Sequence, residues 1–257
     1  MGNKVLKEII AECGPSWHDL DEAKELITQC SQIGVNAVKF QLYNIDEILK
    51  GPHKTKKWYM DTLKKYDKML RKSQLTESKA KELVKHANAK QVEIFFTPMY
   101  LDAVEICESL HIKRYKVRAL DAYWPELLLK IRLTGKPCYV SRANIKTHDP
   151  LKQKNFYTVY YDLWRPTKYL QVMGGYSNLL KSDGYSCHCT KLYAPMQVML
   201  FGGVDYIELH VGIDANNKTL PDWKYTHSPV DVLEIVRYRD MINNMINKAQ
   251  RAKYELT

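Results

Sequence analysis

The chain has 257 residues, 45% of them hydrophobic, and carries 39 Lys and Arg against 29 Asp and Glu, for a net charge of +10. That composition supplies one full core, and no apolar run approaches the roughly 18 residues that would indicate a membrane span. The opening stretch MGNKVLKEIIAECG has neither the apolar region nor the small-residue cleavage site of a secretory signal, so a cytoplasmic location is the default expectation. The six cysteines show no zinc-ribbon or CxxC spacing, which fits reduced thiols better than a disulfide framework.

In chain order, a first strand is expected at about 5–13. A helix at about 20–34 follows, its apolar face made by Leu20, Ala23, Leu26, Ile27, Cys30 and Ile33. The second strand runs about 36–42. A lysine-rich excursion separates it from a helix at 76–90, which Thr76 is placed to cap. Strand and helix then alternate at 92–97 and 100–111, and again at 114–119 and 123–134, where Gly135 closes the helix ahead of Pro137. Strands at 137–142 and 157–163 are joined by a connection too short for a full helix, the weakest repeat of the series. A strand at 184–189, a helix at 192–202 and a strand at 204–211 follow. A last long helix starts at Ser228–Pro229, serine as N-cap and proline at the first helical position.

Alternating strands and amphipathic helices argue for a parallel sheet, and eight units argue for closure. The fold class is therefore α/β, a single (β/α)8 TIM barrel spanning 1–257 without a second domain, a size typical of that architecture. Almost every strand finishes on polar residues: Glu12, Lys39 and Gln41, Thr97, Lys116 and Arg118, Ser141 and Arg142, Ser186 and His188, Glu208 and His210. At the C-terminal mouth of a barrel these side chains converge where active sites sit, which favours an enzyme over a binding module. Much of the positive charge lies in Lys50–Lys72. A solvated face is the ordinary explanation of such a run; a nucleic-acid surface or attraction of an anionic substrate are the alternatives.

The strand-end motifs AECG, GVNAVKFQ, FFTPMYLDAVEICESLHIKRYKVRALD and LTGKPCYVSRANI, then GYSCHCT, FGGVDYIELHVGID and LPDWKYTHSP, occur in that order. Together, from about residue 8 to about 240, they resemble the catalytic barrel of the N-acetylneuraminate (sialic acid) synthase family. That resemblance implies a phosphoenolpyruvate-dependent transferase that joins phosphoenolpyruvate to an aldose, giving a nonulosonic acid and phosphate. It implies a divalent metal, manganese or else magnesium, on His188 and His210, which would polarise the sugar aldehyde. Lys39 and Lys116 fall on positions that hold the phosphoenolpyruvate anion, with Gln41, Thr97, Ser141 and Ser186 beside them. Glu12 and Asp222 fall on the carboxylates that handle protons and place the attacking water. Glu208 is open between a substrate ligand and a partner for a nearby lysine. A homo-oligomer is left open, and no membrane partner is expected.

The chain also departs from the family pattern. Ser16-Trp17-His18-Asp19 replaces NHNG, Ala119 replaces a phosphate-binding serine, and Arg142 enters the turn after the fifth strand. Cys187 and Cys189 flank His188, and the sequence ends at Thr257 without the family's C-terminal antifreeze-like domain. Arg118 alternates onto the same face as Lys116 and is expected to compensate for the lost serine, because a charge-assisted bond exceeds a neutral one. A degenerate barrel that binds an anion without turnover stands as the alternative to an active synthase, as does a nucleic-acid-associated protein using Lys50–Lys72.

Overall fold

The computed structural model describes residues 8–142, 156–161, 182–201 and 203–255. Eight parallel strands close on themselves in sequence order: β1 (Glu8–Glu12), β2 (Ala37–Leu42), β3 (Glu93–Pro98), β4 (Tyr115–Val117), β5 (Cys138–Arg142), β6 (Phe156–Tyr161), β7 (Gly184–Cys187) and β8 (Tyr206–His210), with β8 pairing back on β1. The expected barrel is thus present. The connection between the fifth and sixth strands, read as the weakest repeat, lies outside the described residues.

The helices are α1 (Leu20–Gln32), α2 (Ile45–Lys50), α3 (Lys57–Ser73), α4 (Glu77–Ala89), α5 (Ala103–Ser109), α6 (Pro125–Leu133), α7 (Tyr193–Phe201) and α8 (Pro229–Glu255). Their starts follow local chemistry. Asp19 accepts from the Glu22 amide at 3.0 Å and Thr76 from the Lys79 amide at 3.3 Å. Ser228 and Asp231 bond reciprocally, side chain to amide, ahead of Pro229. Gly135 follows α6 at φ +70, the left-handed conformation that a helix-closing glycine adopts without strain. The lysine-rich excursion is mostly helix: α2 and α3 fold over the barrel on their own cluster of Tyr43, Ile45, Ile48, Tyr59, Leu63 and Leu70.

Strand alternation separates two cores. Outward residues such as Ile9, Ala11, Val38, Phe40, Ile94, Phe96, Val117, Val140, Ile207 and Leu209 pack under the helices. Cys187 and Cys189 belong to this outer core, so neither crowds the barrel mouth beside His188. Inward residues form a lower layer of Ile10, Ala37, Phe95 and Tyr206, with Tyr139 against it. Gly184 is required here, because a Cβ would lie 2.1 Å from the Tyr206 ring. Below, Arg114 pairs with Glu8 at 2.6 Å and Glu93 at 2.9 Å and stacks over Phe95 and Tyr139, closing the N-terminal end. All six cysteines are buried and none is in a disulfide.

Candidate active site

One strand position above the lower layer, the inward side chains become ionic. Register places Glu12 beside Lys39 and beside His210, Lys39 beside Phe95, and Ser186 beside Glu208. Glu12, Lys39, Lys116 and Glu208 are 1%, 4%, 3% and 4% exposed, so each charge needs a partner. Lys116 donates to both oxygens of Glu208 at 2.7 Å, and Ser186 donates to the same carboxylate at 2.8 Å. Lys39 is ion-paired with Glu12, lies 3.8 Å from Glu208 and donates to Thr97 at 3.1 Å. Of the two roles open for Glu208, the structure displays the lysine partner.

The electrostatics follow from that crowding. Burial, reinforced by Lys116, pushes the Lys39 ammonium down to about 7 against the pull of Glu208 and Asp222. Burial alone would raise Glu208, but Lys116 and Lys39 hold it well below the usual carboxylate range. Asp222 is raised by burial, against its bond from Tyr225. Burial, then the neighbouring His188, keeps His210 neutral well below the ordinary histidine range.

Above this layer lies a cavity of about 190 Å³. All twelve residues singled out from the sequence line it: Glu12, Lys39, Gln41, Thr97, Lys116, Arg118, Ser141, Ser186, His188, Glu208, His210 and Asp222. Gln41 donates to Glu12 at 3.4 Å and to the Gly14 carbonyl at 3.1 Å, fixing the turn after β1. Arg118 does face the cavity with Lys116, but its guanidinium is already engaged. It forms an ion pair with Asp121 and donates to the Tyr59 hydroxyl at 2.9 Å, and Asp121 is also held by His53 at 2.7 Å. The expected compensation for Ala119 is therefore tempered: Arg118 is a wall braced between two loops rather than an unoccupied anion ligand.

The altered Ser16–Asp19 segment is structural. Trp17 is buried against Phe40, His18 pairs with Glu22, and Asp19 caps α1. Arg142 is buried and stacks over Tyr123. Sequence reading missed Trp58, Tyr59 and Thr62 of α3, Leu120, and Tyr225, all of which line the cavity. Their signal was weak, because an amphipathic helix advertises its buried face but not the neighbour it meets.

The two histidines suit a divalent cation. Their rings are 5.0 Å apart. His188 Nδ1 faces the Ser186 carbonyl at 3.2 Å, a contact of the kind that orients a metal-binding imidazole. His210 Nδ1 is buried without a hydrogen-bond partner and lies 3.9 Å from Asp222 Oδ2. No group of three His, Cys, Asp or Glu among the described residues is assembled tightly enough to hold an ion alone. The pair thus offers two ligands and open positions, as a metal that also takes substrate requires.

Comparison with known proteins fits this geometry. Residues 26–150 match the NeuB family. The resemblance to sialic acid synthases read from the strand ends therefore stands. The chain is 24% identical to the N,N'-diacetyllegionaminic acid synthase of Campylobacter jejuni over 269 residues, covering 95% of this chain and 80% of that protein. Its fold matches the N-acetylneuraminic acid synthetase of Leptospira borgpetersenii with a TM-score of 0.78 at 19% identity, over 98% of this chain and 92% of that one. It likewise matches a spore coat polysaccharide biosynthesis protein of Bacillus subtilis with a TM-score of 0.75 at 19% identity, over 95% and 70% of the two chains. No helix among the described residues is long and apolar enough to cross a membrane.

Proposed function

We propose that this NeuB relative is a carbohydrate-biosynthetic transferase that condenses phosphoenolpyruvate with an aldose, forming a C–C bond and releasing phosphate. The observation that carries the reading is the layer of Lys39 and Lys116, buried yet opening onto a cavity. Their carboxylate partners balance them in the absence of ligand, and an incoming phosphate or carboxylate takes over part of that role. Thr97, Ser141 and Ser186 line the same floor and supply neutral hydrogen bonds.

Glu12 sits at the junction of the lysine layer and the histidines. There it can accept a proton from the water that attacks C2 of phosphoenolpyruvate, while C3 bonds to the aldehyde carbon and phosphate departs. Asp222 lines the same cavity beside His210, where it can hold a proton for the acceptor's oxygen. A manganese or magnesium ion on His188 and His210 would supply Lewis-acid polarisation of that aldehyde oxygen. Trp58, Tyr59 and Thr62 form an aromatic and hydroxyl wall for the acceptor.

The test is phosphate release from phosphoenolpyruvate against a panel of aldoses, with and without manganese. Release that depends on one class of acceptor is the expected result. Release with none of them, alongside retained phosphoenolpyruvate binding, would replace the enzyme by an anion-binding barrel.

A further inference from the structure

Tyr225 lies in the short helical turn Trp223–Tyr225, after β8, and lines the cavity. Its ring packs against both imidazoles at once, with centroids 4.9 Å from His188 and 4.8 Å from His210. Its hydroxyl donates to Asp222 Oδ1 at 2.5 Å. The same turn is tied down by Thr226, which donates to the Asp222 carbonyl at 2.9 Å, and by the His227 amide, which donates to the His210 carbonyl at 2.8 Å. The tyrosine therefore touches three of the chemical groups that the sequence singled out, His188, His210 and Asp222.

That geometry has a consequence for Asp222. With Oδ1 occupied by the phenol, the carboxylate cannot rotate without losing a short hydrogen bond, and Oδ2 stays turned toward His210 Nδ1. The ring meanwhile limits how far the two imidazoles can turn, since each meets it at an inclined angle, 58° for His188 and 76° for His210. We propose that Tyr225 is a positioning residue of this pocket: its hydroxyl sets the rotamer of Asp222 and its ring sets the spacing of His188 and His210, so that the three present one face to a divalent cation and substrate.

The proposal rests on the two-histidine reading above for its metal half, and on the imidazole contacts alone for its geometric half. Tyr225→Phe keeps the ring and removes the hydroxyl. In metal-free protein, ring-nitrogen NMR of the histidines should show His210 displaced in Y225F, while His86, on α4, keeps its position. Manganese binding, followed by electron paramagnetic resonance, should weaken about 10-fold or more in Y225F, the usual effect of losing a group that orients a ligand. The melting shift caused by phosphoenolpyruvate should persist, because the lysine layer is untouched. In turnover, kcat should fall with little change in KM for phosphoenolpyruvate.

Superposable histidine spectra together with wild-type manganese affinity in Y225F would overturn the role of the Tyr225 hydroxyl, and the same two results in Tyr225→Leu, which removes the ring, would overturn the role of the ring; either leaves the two-histidine reading standing. Wild-type protein that binds no manganese would overturn that reading and the metal half of the proposal, and the histidine spectra would still decide the geometric half. A melting temperature in Y225F several degrees below wild type, with unaltered kcat and manganese affinity, would reduce Tyr225 to a packing residue.

Discussion

Lys39 is the residue at which burial and counter-charge compete most directly. Removed from water, its ammonium is pushed down to about 7, yet Glu12 and Glu208 stand beside it. An anion that binds the charged form adds native-state stability by mass action, about 2.7 kcal/mol at a hundredfold excess over Kd. Phosphoenolpyruvate should accordingly raise Tm, and Lys39→Met or Lys116→Met should remove that shift in a thermal melt. The sign of the pH dependence follows from the same group. Below about 7 Lys39 is an ammonium and holds the anion; as pH rises through that value it becomes neutral and the anion loses a partner. Sulfate, whose charge does not change across this range, is the clean probe: its stabilising effect should fall from pH 6 to pH 8 in wild type and stay flat in Lys39→Met. Glu12 gives the complementary case. Glu12→Gln removes the carboxylate that competes with the ligand for Lys39, so phosphoenolpyruvate binding should be kept or tightened. Turnover should be lost with the base, and a variant that retains wild-type kcat would remove Glu12 from the chemistry.

Among the elements, the loops before α3 and α6 are stitched by one buried carboxylate. Asp121 is fully buried; burial raises its pKa, but Arg118 and His53 together hold it below the usual range. Asp121→Ala would leave Arg118 with the Tyr59 hydroxyl alone. The cost should be about 3 kcal/mol, the low end for a broken buried pair because the Arg118 side chain is 24% exposed. Arg118→Met combined with Asp121→Ala should recover most of it in urea denaturation, since the stranded charge is then gone. A double variant as unstable as the single one would show that Asp121 acts through His53 instead. This brace also marks where the sequence ceased to be readable. Strands were legible because apolar residues such as Val38 and Phe40, or Ile207 and Leu209, alternate with charged or polar ones toward the strand end, and period-two alternation fixes which of those share a face. Lys39, Lys116 and His210 could be placed on one mouth by that rule alone. Pairing could not: whether Glu208 meets a lysine or a ligand, and whether Arg118 is unoccupied, depends on side-chain reach across the barrel. Tyr59 and Tyr225 were illegible for a related reason. Each sits in a connecting segment whose course over the mouth is set by packing at the far end, such as Leu63 and Leu70 under α3, and not by any local pattern.

For the whole molecule, the charge of +10 is unevenly placed. Helix α3 turns Trp58, Tyr59 and Thr62 to the cavity and leaves Lys57, Lys64, Lys65 and Lys68 exposed, none of them in an ion pair among the described residues. Arg71, by contrast, is spent on Asp46 and Asp67. A helix that is wall on one side and basic on the other places a positive field at the rim of a pocket whose floor carries the buried Lys39 and Lys116. Such a field raises encounter rates with anions and is screened over a Debye length of about 10 Å at 0.1 M salt. It adds nothing once substrate is bound. Replacing Lys57, Lys64, Lys65 and Lys68 by glutamine should therefore lower kcat/KM for phosphoenolpyruvate at low ionic strength, by about 10-fold at the lower end of steering effects, and leave kcat unchanged. The difference between wild type and variant should vanish as salt is raised to 0.5 M, which separates a long-range field from a contact. The experiment also weighs the nucleic-acid use of this stretch. Tight, steeply salt-dependent retention of RNA or DNA by wild type, lost in the glutamine variant while kcat/KM is unmoved, would assign these lysines to a polyanion and leave the cavity to draw its substrate without them.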